Sequence, residues 1–159
     1  LTGDSMKLTA KTDIEAPIGF VYAALTDFPA WEREALQRGA EVERPANGKD
    51  SVWHVKFRYR GRLRKLTIRV LDATLDERLV VGIDSTPVEG SSQMDLVSLS
   101  ARRTRLRVTL DMRPKTLAAR LFVNALRVAR RKVEMRFEKR IGQLAARIED
   151  LHQRSRATA

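Results

Sequence analysis

The stretch SVWHVKFRYRGRLRKLTIRV, residues 51–70, keeps a period of two along its whole length. Trp53, Val55, Phe57 and Tyr59 fall on one side, while His54, Lys56, Arg58 and Arg60 fall on the other. After a turn at Gly61-Arg62, Leu66, Ile68 and Val70 alternate with Lys65, Thr67 and Arg69. Rings threaded among cations can make a nucleic-acid platform, where bases stack and cations hold phosphates. A platform puts rings and cations on one exposed face. Here they occupy opposite faces, the pattern of an antiparallel sheet with one side in water. Nucleic acid is therefore not an expected partner.

The same period marks further strands. MKLTAKTDI (6–14) places Leu8, Ala10, Thr12 and Ile14 on one side, and ERLVVGIDST (77–86) carries Ile83. QMDLVSLSA (93–101) leaves its face open because Leu96 and Val97 are adjacent, and in 102–114 Leu106 and Val108 alternate with arginines. AEVERP (40–45) is a short strand, Asn47-Gly48 a hairpin signal, and Glu89-Gly90-Ser91-Ser92 reads as a hairpin turn. Between the first two strands, Pro17 opens a helix over 18–27. Asp27 is placed to cap a second short helix, which Gly39 closes.

From Lys115 to about His152 only Gly142 could break a helix, so this is one long helix or two meeting near Ala129–Arg131. Val133, Phe137, Ile141, Leu144, Ile148 and Leu151 form one stripe fit to cover the sheet. Upstream, Leu117, Leu121, Ala125 and Val128 make a second apolar stripe. Three things could cover it: the cavity mouth under the helix bearing Trp31, a second subunit in a homodimer, or a membrane surface. The first is the expectation, because it needs only one chain.

The chain of 159 residues suits a single domain, taken as residues 6–153, with 154–159 a disordered tail. Residues 1–5 precede Met6 and are set aside as an expression remnant. The absence of cysteine removes thiolate chemistry and fits a reducing compartment. No apolar run nears the ~18 residues of a membrane span. A cytoplasmic protein is expected. The net charge of +11 draws anions, and Arg120, Arg127, Arg130, Arg131, Lys132, Arg136, Lys139 and Arg140 concentrate it on the last helix. Such a run is usually a solvated face, but it also fits weak contact with an anionic membrane.

The order of elements is a strand, two short helices, a run of antiparallel strands and a long C-terminal helix. It resembles the helix-grip fold of the START and birch-pollen-allergen superfamily (SRPBCC), an α+β architecture. DIEAPIGFVYAALTDFPAWE (13–32) is similar to the family's entry segment, RRTRLRVTLDMRP (102–114) to its last strand, and residues 116–151 to the long helix of its bacterial polyketide-cyclase/dehydrase-like branch. The resemblance implies a curved sheet wrapped around the long helix, with a cavity between them for a hydrophobic ligand. The residues implied to line it are Trp31, Trp53, Val55, Phe57, Leu66, Ile68, Ile83, Leu106, Val108, Phe122 and Leu126. A filled core is the competing possibility, and Trp31 could equally be a staple fixing its helix to the sheet.

Catalysis has little to work with. His54 lies on the outward strand face and His152 past the helix's apolar stripe, so neither meets a cavity ligand. No carboxylate pair or metal-ligand cluster shows on the inward faces, and no cofactor is implied. The expected function is binding, which could extend to transport, of an apolar small molecule or lipid. A cyclase or dehydratase on the same fold is the first alternative; binding of RNA or an acidic partner through the basic surface is the second.

Overall fold

In the computed structural model, which describes residues 5–45 and 51–158, the alternation seen in the sequence becomes one seven-stranded sheet. The strands are β1 (Met6–Ile14), β2 (Glu41–Glu43), β3 (Val52–Tyr59), β4 (Arg62–Thr74), β5 (Arg78–Asp84), β6 (Val88–Ser100) and β7 (Arg103–Pro114). The spatial order is β1-β7-β6-β5-β4-β3-β2, and every pairing is antiparallel. Thus β2 to β7 form a meander, and β1 returns to lie beside β7. Helices α1 (Ile18–Leu25) and α2 (Phe28–Gln37) separate β1 from β2, while α3 (Leu117–Val128) and α4 (Arg130–Ala157) follow the sheet. The expected hairpin at Asn47-Gly48 lies outside the described residues.

Local chemistry explains the helix limits. Asp27 accepts from Ala30 N–H at 3.2 Å, capping α2 as expected. Gly39, at φ +88°, ends α2 with two paired bonds: Gly39 N–H to Leu36 O and Ala40 N–H to Ala35 O, each 3.0 Å. This is the Schellman closure, which needs a residue in the left-handed region. α3 and α4 meet at Ala129, and α4 continues to Ala157, past the expected domain end and through most of the supposed tail.

One turn differs from expectation. Glu89 to Ser92 lie within β6, and the chain reverses at 85–88, where Ser85 and Val88 exchange backbone and side-chain hydrogen bonds. Gly90 serves close approach instead: a Cβ there would sit 2.4 Å from the Asp111 carbonyl oxygen on β7. The ambiguous strand also resolves. Leu96 turns inward, opposite Leu106, and Val97 faces water at 57% exposure.

The core lies on the concave side, where α4 packs over β1. Its main cluster joins Ile14, Val21, Leu25, Leu79, Leu96, Leu106, Val108, Ile141, Ala145 and Ile148. A smaller one joins Met6, Leu8 and Val123, with Leu126, Val133 and Phe137 against it. Thr104, a fully buried polar residue, is satisfied by donating to Ala16 O at 2.8 Å, which ties β7 to the end of β1.

Candidate functional site

The concave face is not filled evenly. Under α2 lies a cavity of about 330 Å³, near the lower end of the ~300–1,000 Å³ typical of small-molecule sites. Its floor is the inward register of four neighbouring strands. Trp53 and Val55 come from β3, Ile68 and Val70 from β4, Leu79 and Val81 from β5, and Met94 from β6. The pairings Trp53↔Ile68, Val55↔Leu66, Val70↔Val81 and Leu79↔Met94 place them on one face. The roof is one face of α2, Phe28, Trp31, Glu32 and Ala35, at the i, i+3, i+4, i+7 spacing. Leu25, Val42 and Leu144 close the sides.

The wall is apolar with one exception. Among the described residues Glu32 is the single ionisable one lining the cavity, and its Oε1 accepts from Trp53 Nε1 at 2.6 Å and from Arg44 Nε. The Arg44 guanidinium also lies 5.2 Å from the centroid of the Trp53 ring, and Phe28 meets that ring at 5.1 Å. Three residues distant in sequence thus form a polar knot beside an apolar space. A carboxylate offers about four lone-pair positions, so these two donors leave Glu32 with acceptor capacity for a third.

α2 is held from outside as well. Trp31 Nε1 donates to Leu25 O at 3.1 Å, and Arg147 of α4 lies 5.3 Å from the Trp31 ring centroid. Arg147 also donates to Glu34 Oε2 at 2.6 Å, while Arg38 donates to Glu34 Oε1 at 3.0 Å. The Arg147 hydrogen bond is the main cause that holds the Glu34 carboxyl below its usual range. No residue of α2 is fully buried, so this helix is a roof fastened by side-chain clasps. Trp31 is both staple and lining, where the sequence offered these as alternatives.

Of the residues expected at the site, Trp31, Trp53, Val55 and Ile68 line this cavity. Phe57, Leu66 and Ile83 share the inward face but lie farther along their strands. Leu106 and Val108 point inward too, at 0% and 4% exposure, into the filled core beneath α4. Leu126 is half-buried against the smaller core. Phe122 points away, 58% exposed, because α3 meets the sheet through Ala119 and Val123. The expected cover for the second stripe also fails: Leu117, Leu121 and Val128 are 73%, 63% and 92% exposed.

Sequence reasoning did not find Glu32 or Arg44. A glutamate on a short amphipathic helix reads as a solvated residue, and its partners lie far away along the chain. The two histidines stay outside the cavity. His54 Nδ1 is 3.2 Å from Thr67 Oγ1 on the convex face. His152, expected at the surface, is half-buried with Phe20 edge-on at 4.8 Å. Among the described residues no group of three His, Asp or Glu comes together to hold a metal ion.

Residues 5–149 match the family described as polyketide cyclase / dehydrase and lipid transport. No curated protein matches the sequence. Among solved structures the chain is similar to the Zhui aromatase/cyclase of a Streptomyces species, at 19% identity and a TM-score of 0.60 over 90% of this chain and 94% of that one. It is also similar to a START superfamily protein from Mycobacterium smegmatis, at 16% identity and TM-score 0.52, covering 84% and 97%. A third likeness is to truncated norcoclaurine synthase from Thalictrum flavum, at 12% identity and TM-score 0.55, covering 78% and 93%. At these identities the solved structures speak for the fold, an open curved antiparallel sheet gripping a long C-terminal helix.

Proposed function

Because the chain belongs to the polyketide cyclase / dehydrase and lipid transport family, we propose that it binds an apolar small molecule under α2, oriented by one hydrogen bond to Glu32. The observation that carries this reading is an apolar cavity of about 330 Å³ with a single carboxylate among the described residues of its wall. Apolar lining supplies most of the affinity, and one placed polar group supplies orientation. The ligand class is a compact ring system bearing one hydroxyl or amine donor. Trp31, Trp53, Val55 and Ile68 are its contacts. Glu32 would also be the one acid–base group open to a cyclase or dehydratase. Such chemistry needs a proton both removed and delivered, and the described residues of the wall offer one such group, which favours binding as the reading adopted.

Both tryptophans of the chain line the cavity, so tryptophan emission reports its occupancy. Titration with naphthol and with naphthalene should change the emission saturably, with naphthol binding about tenfold or more tighter through a charge-assisted bond. Glu32→Gln should shrink that preference while leaving naphthalene bound. Emission unmoved by either compound would overturn the cavity reading. An unchanged naphthol preference in Glu32→Gln would remove Glu32 from it. Native mass spectrometry of protein from its host then identifies the bound mass.

A further inference from the structure

We propose that the exposed side of the α3–α4 helix docks the protein on an anionic lipid surface, α3 entering the interface and the start of α4 resting on the headgroups. The inference is independent of what the cavity binds.

The two helices part at Ala129, whose ψ of 25° leaves the helical region. Ala129 N–H closes α3 on Ala125 O at 3.3 Å, and Val133 N–H opens α4 on Ala129 O at 3.1 Å, so one residue alone separates them. Both helices accordingly show the same side to the protein: Ala119, Val123, Leu126, Val133, Phe137 and Ile141 are buried or half-buried. The exposed side carries Leu117, Leu121 and Val128 on α3 and Lys132, Met135 and Lys139 on α4, stepping by four, seven, four, three and four. All six are exposed, and of the apolar ones Val128 is the most so, at 92%. Phe122 flanks the apolar part at 58% exposure, and Arg136 and Arg140 flank the cationic part. One surface thus changes from apolar to cationic along its axis.

The charge there is in surplus. Residues 115–140 hold nine Lys and Arg against two Glu. Arg130 is paired with Glu134 at 2.6 Å. Among the described residues, Lys132, Arg136, Lys139 and Arg140 have no ion-pair partner.

Three occupants can be compared on these terms. A second copy could cover the leucines and Val128, but would bring the same unpaired cations with it. Nucleic acid would meet the cations and leave five large apolar side chains in water. An anionic bilayer surface satisfies both halves, since apolar groups enter the headgroup–acyl boundary while Lys and Arg meet lipid phosphates. The contact is superficial, because no helix among the described residues is long and apolar enough to cross a membrane.

Co-sedimentation with phosphatidylcholine vesicles, with and without phosphatidylglycerol, tests this. The protein should bind only the anionic vesicles, and less at high ionic strength. Leu121→Asp combined with Val128→Asp should cut that binding at least about tenfold with the circular dichroism spectrum and melting temperature unchanged, since both sites are exposed. Arg136→Glu with Lys139→Glu should cut it at least about 25-fold, about fivefold for each cation lost. Three results would overturn the proposal: no binding to phosphatidylglycerol vesicles at low salt, full binding by the Asp variant, or a wild-type dimer that Leu121→Asp splits.

Discussion

The two halves of the concave face share one sequence rule and differ in what they became. On the β1–β7–β6 side, Leu106 and Val108 turn inward and are buried under α4. On the β3–β4–β5 side, Val55, Ile68 and Val81 turn inward with the same period and face open space under α2. The strands do not decide this. The cover does: α4 seats Ile141, Ala145 and Ile148 in the core, whereas α2 buries no residue fully and is held by Trp31, Glu32 and Glu34 at its rim. A long amphipathic helix fills a curved sheet; a short one clasped by polar side chains spans it.

Deleting side chains on each side gives the largest expected effect. Leu106→Ala, at 0% exposure, should cost about 2–5 kcal/mol in urea unfolding, because the surrounding core cannot collapse onto the gap. Ile68→Ala, half-buried beside an existing cavity, should cost clearly less and instead weaken ligand binding. Equal losses at the two sites would mean both halves are packed alike, and the comparison would break. The next effect is at the seam: Gly90→Ala drives a Cβ into the Asp111 backbone and should cost about 1–3 kcal/mol, as overpacking does. A turn glycine would tolerate alanine far better at this negative-φ position, so the substitution also separates the strand placement from the turn first expected.

Filling should act differently from deleting. Val81→Phe adds volume on the cavity floor, so stability should stay within about 1 kcal/mol of wild type while naphthol no longer alters tryptophan emission. A large loss of stability would mean the space is not there to be filled.

Much of this was legible in the residues, for definite reasons. Strand faces follow from a period of two, so the inward set from Trp53 to Val108 could be written down with its partners unknown. The helix stripe from Val133 to Ile148 follows from a period of 3.6. Phase fails where a helix is apolar all round: α3 could have seated Phe122, and it seats Ala119 and Val123, whose small side chains allow close approach. Filled core and cavity also share one pattern, since both ask only for inward apolar residues. The Glu32–Trp53–Arg44 knot was illegible because no local spacing links those positions. Gly90 was misread because glycine marks tight turns and close backbone approaches alike.

The smallest expected effect concerns acid, and it separates the halves by their clasps. On the filled side, Asp13 accepts from Arg105 at 2.8 Å, the main cause that lowers its carboxyl pKa. On the cavity side, Arg147 does the same for Glu34 at 2.6 Å. Both folded values lie below the unfolded ones, so between the two values the unfolded chain holds more protons. Stability from each pair is present above the ordinary carboxylate range and is lost as pH falls through the depressed folded value. Glu34→Gln should remove one part of that slope and leave the Asp13 part. The change should stay within about 1 kcal/mol, as for other partly exposed pairs. Ligand binding sharpens the test, because of Asp13 and Glu34 it is Glu34 that helps fasten the roof. Wild-type affinity for naphthalene, which makes no bond to Glu32, should fall in that acid window, whereas Glu34→Gln should bind it more weakly at neutral pH and change little on acidification. If Glu34→Gln kept the wild-type acid loss of binding, the Arg147 clasp would not be what holds α2 over the cavity.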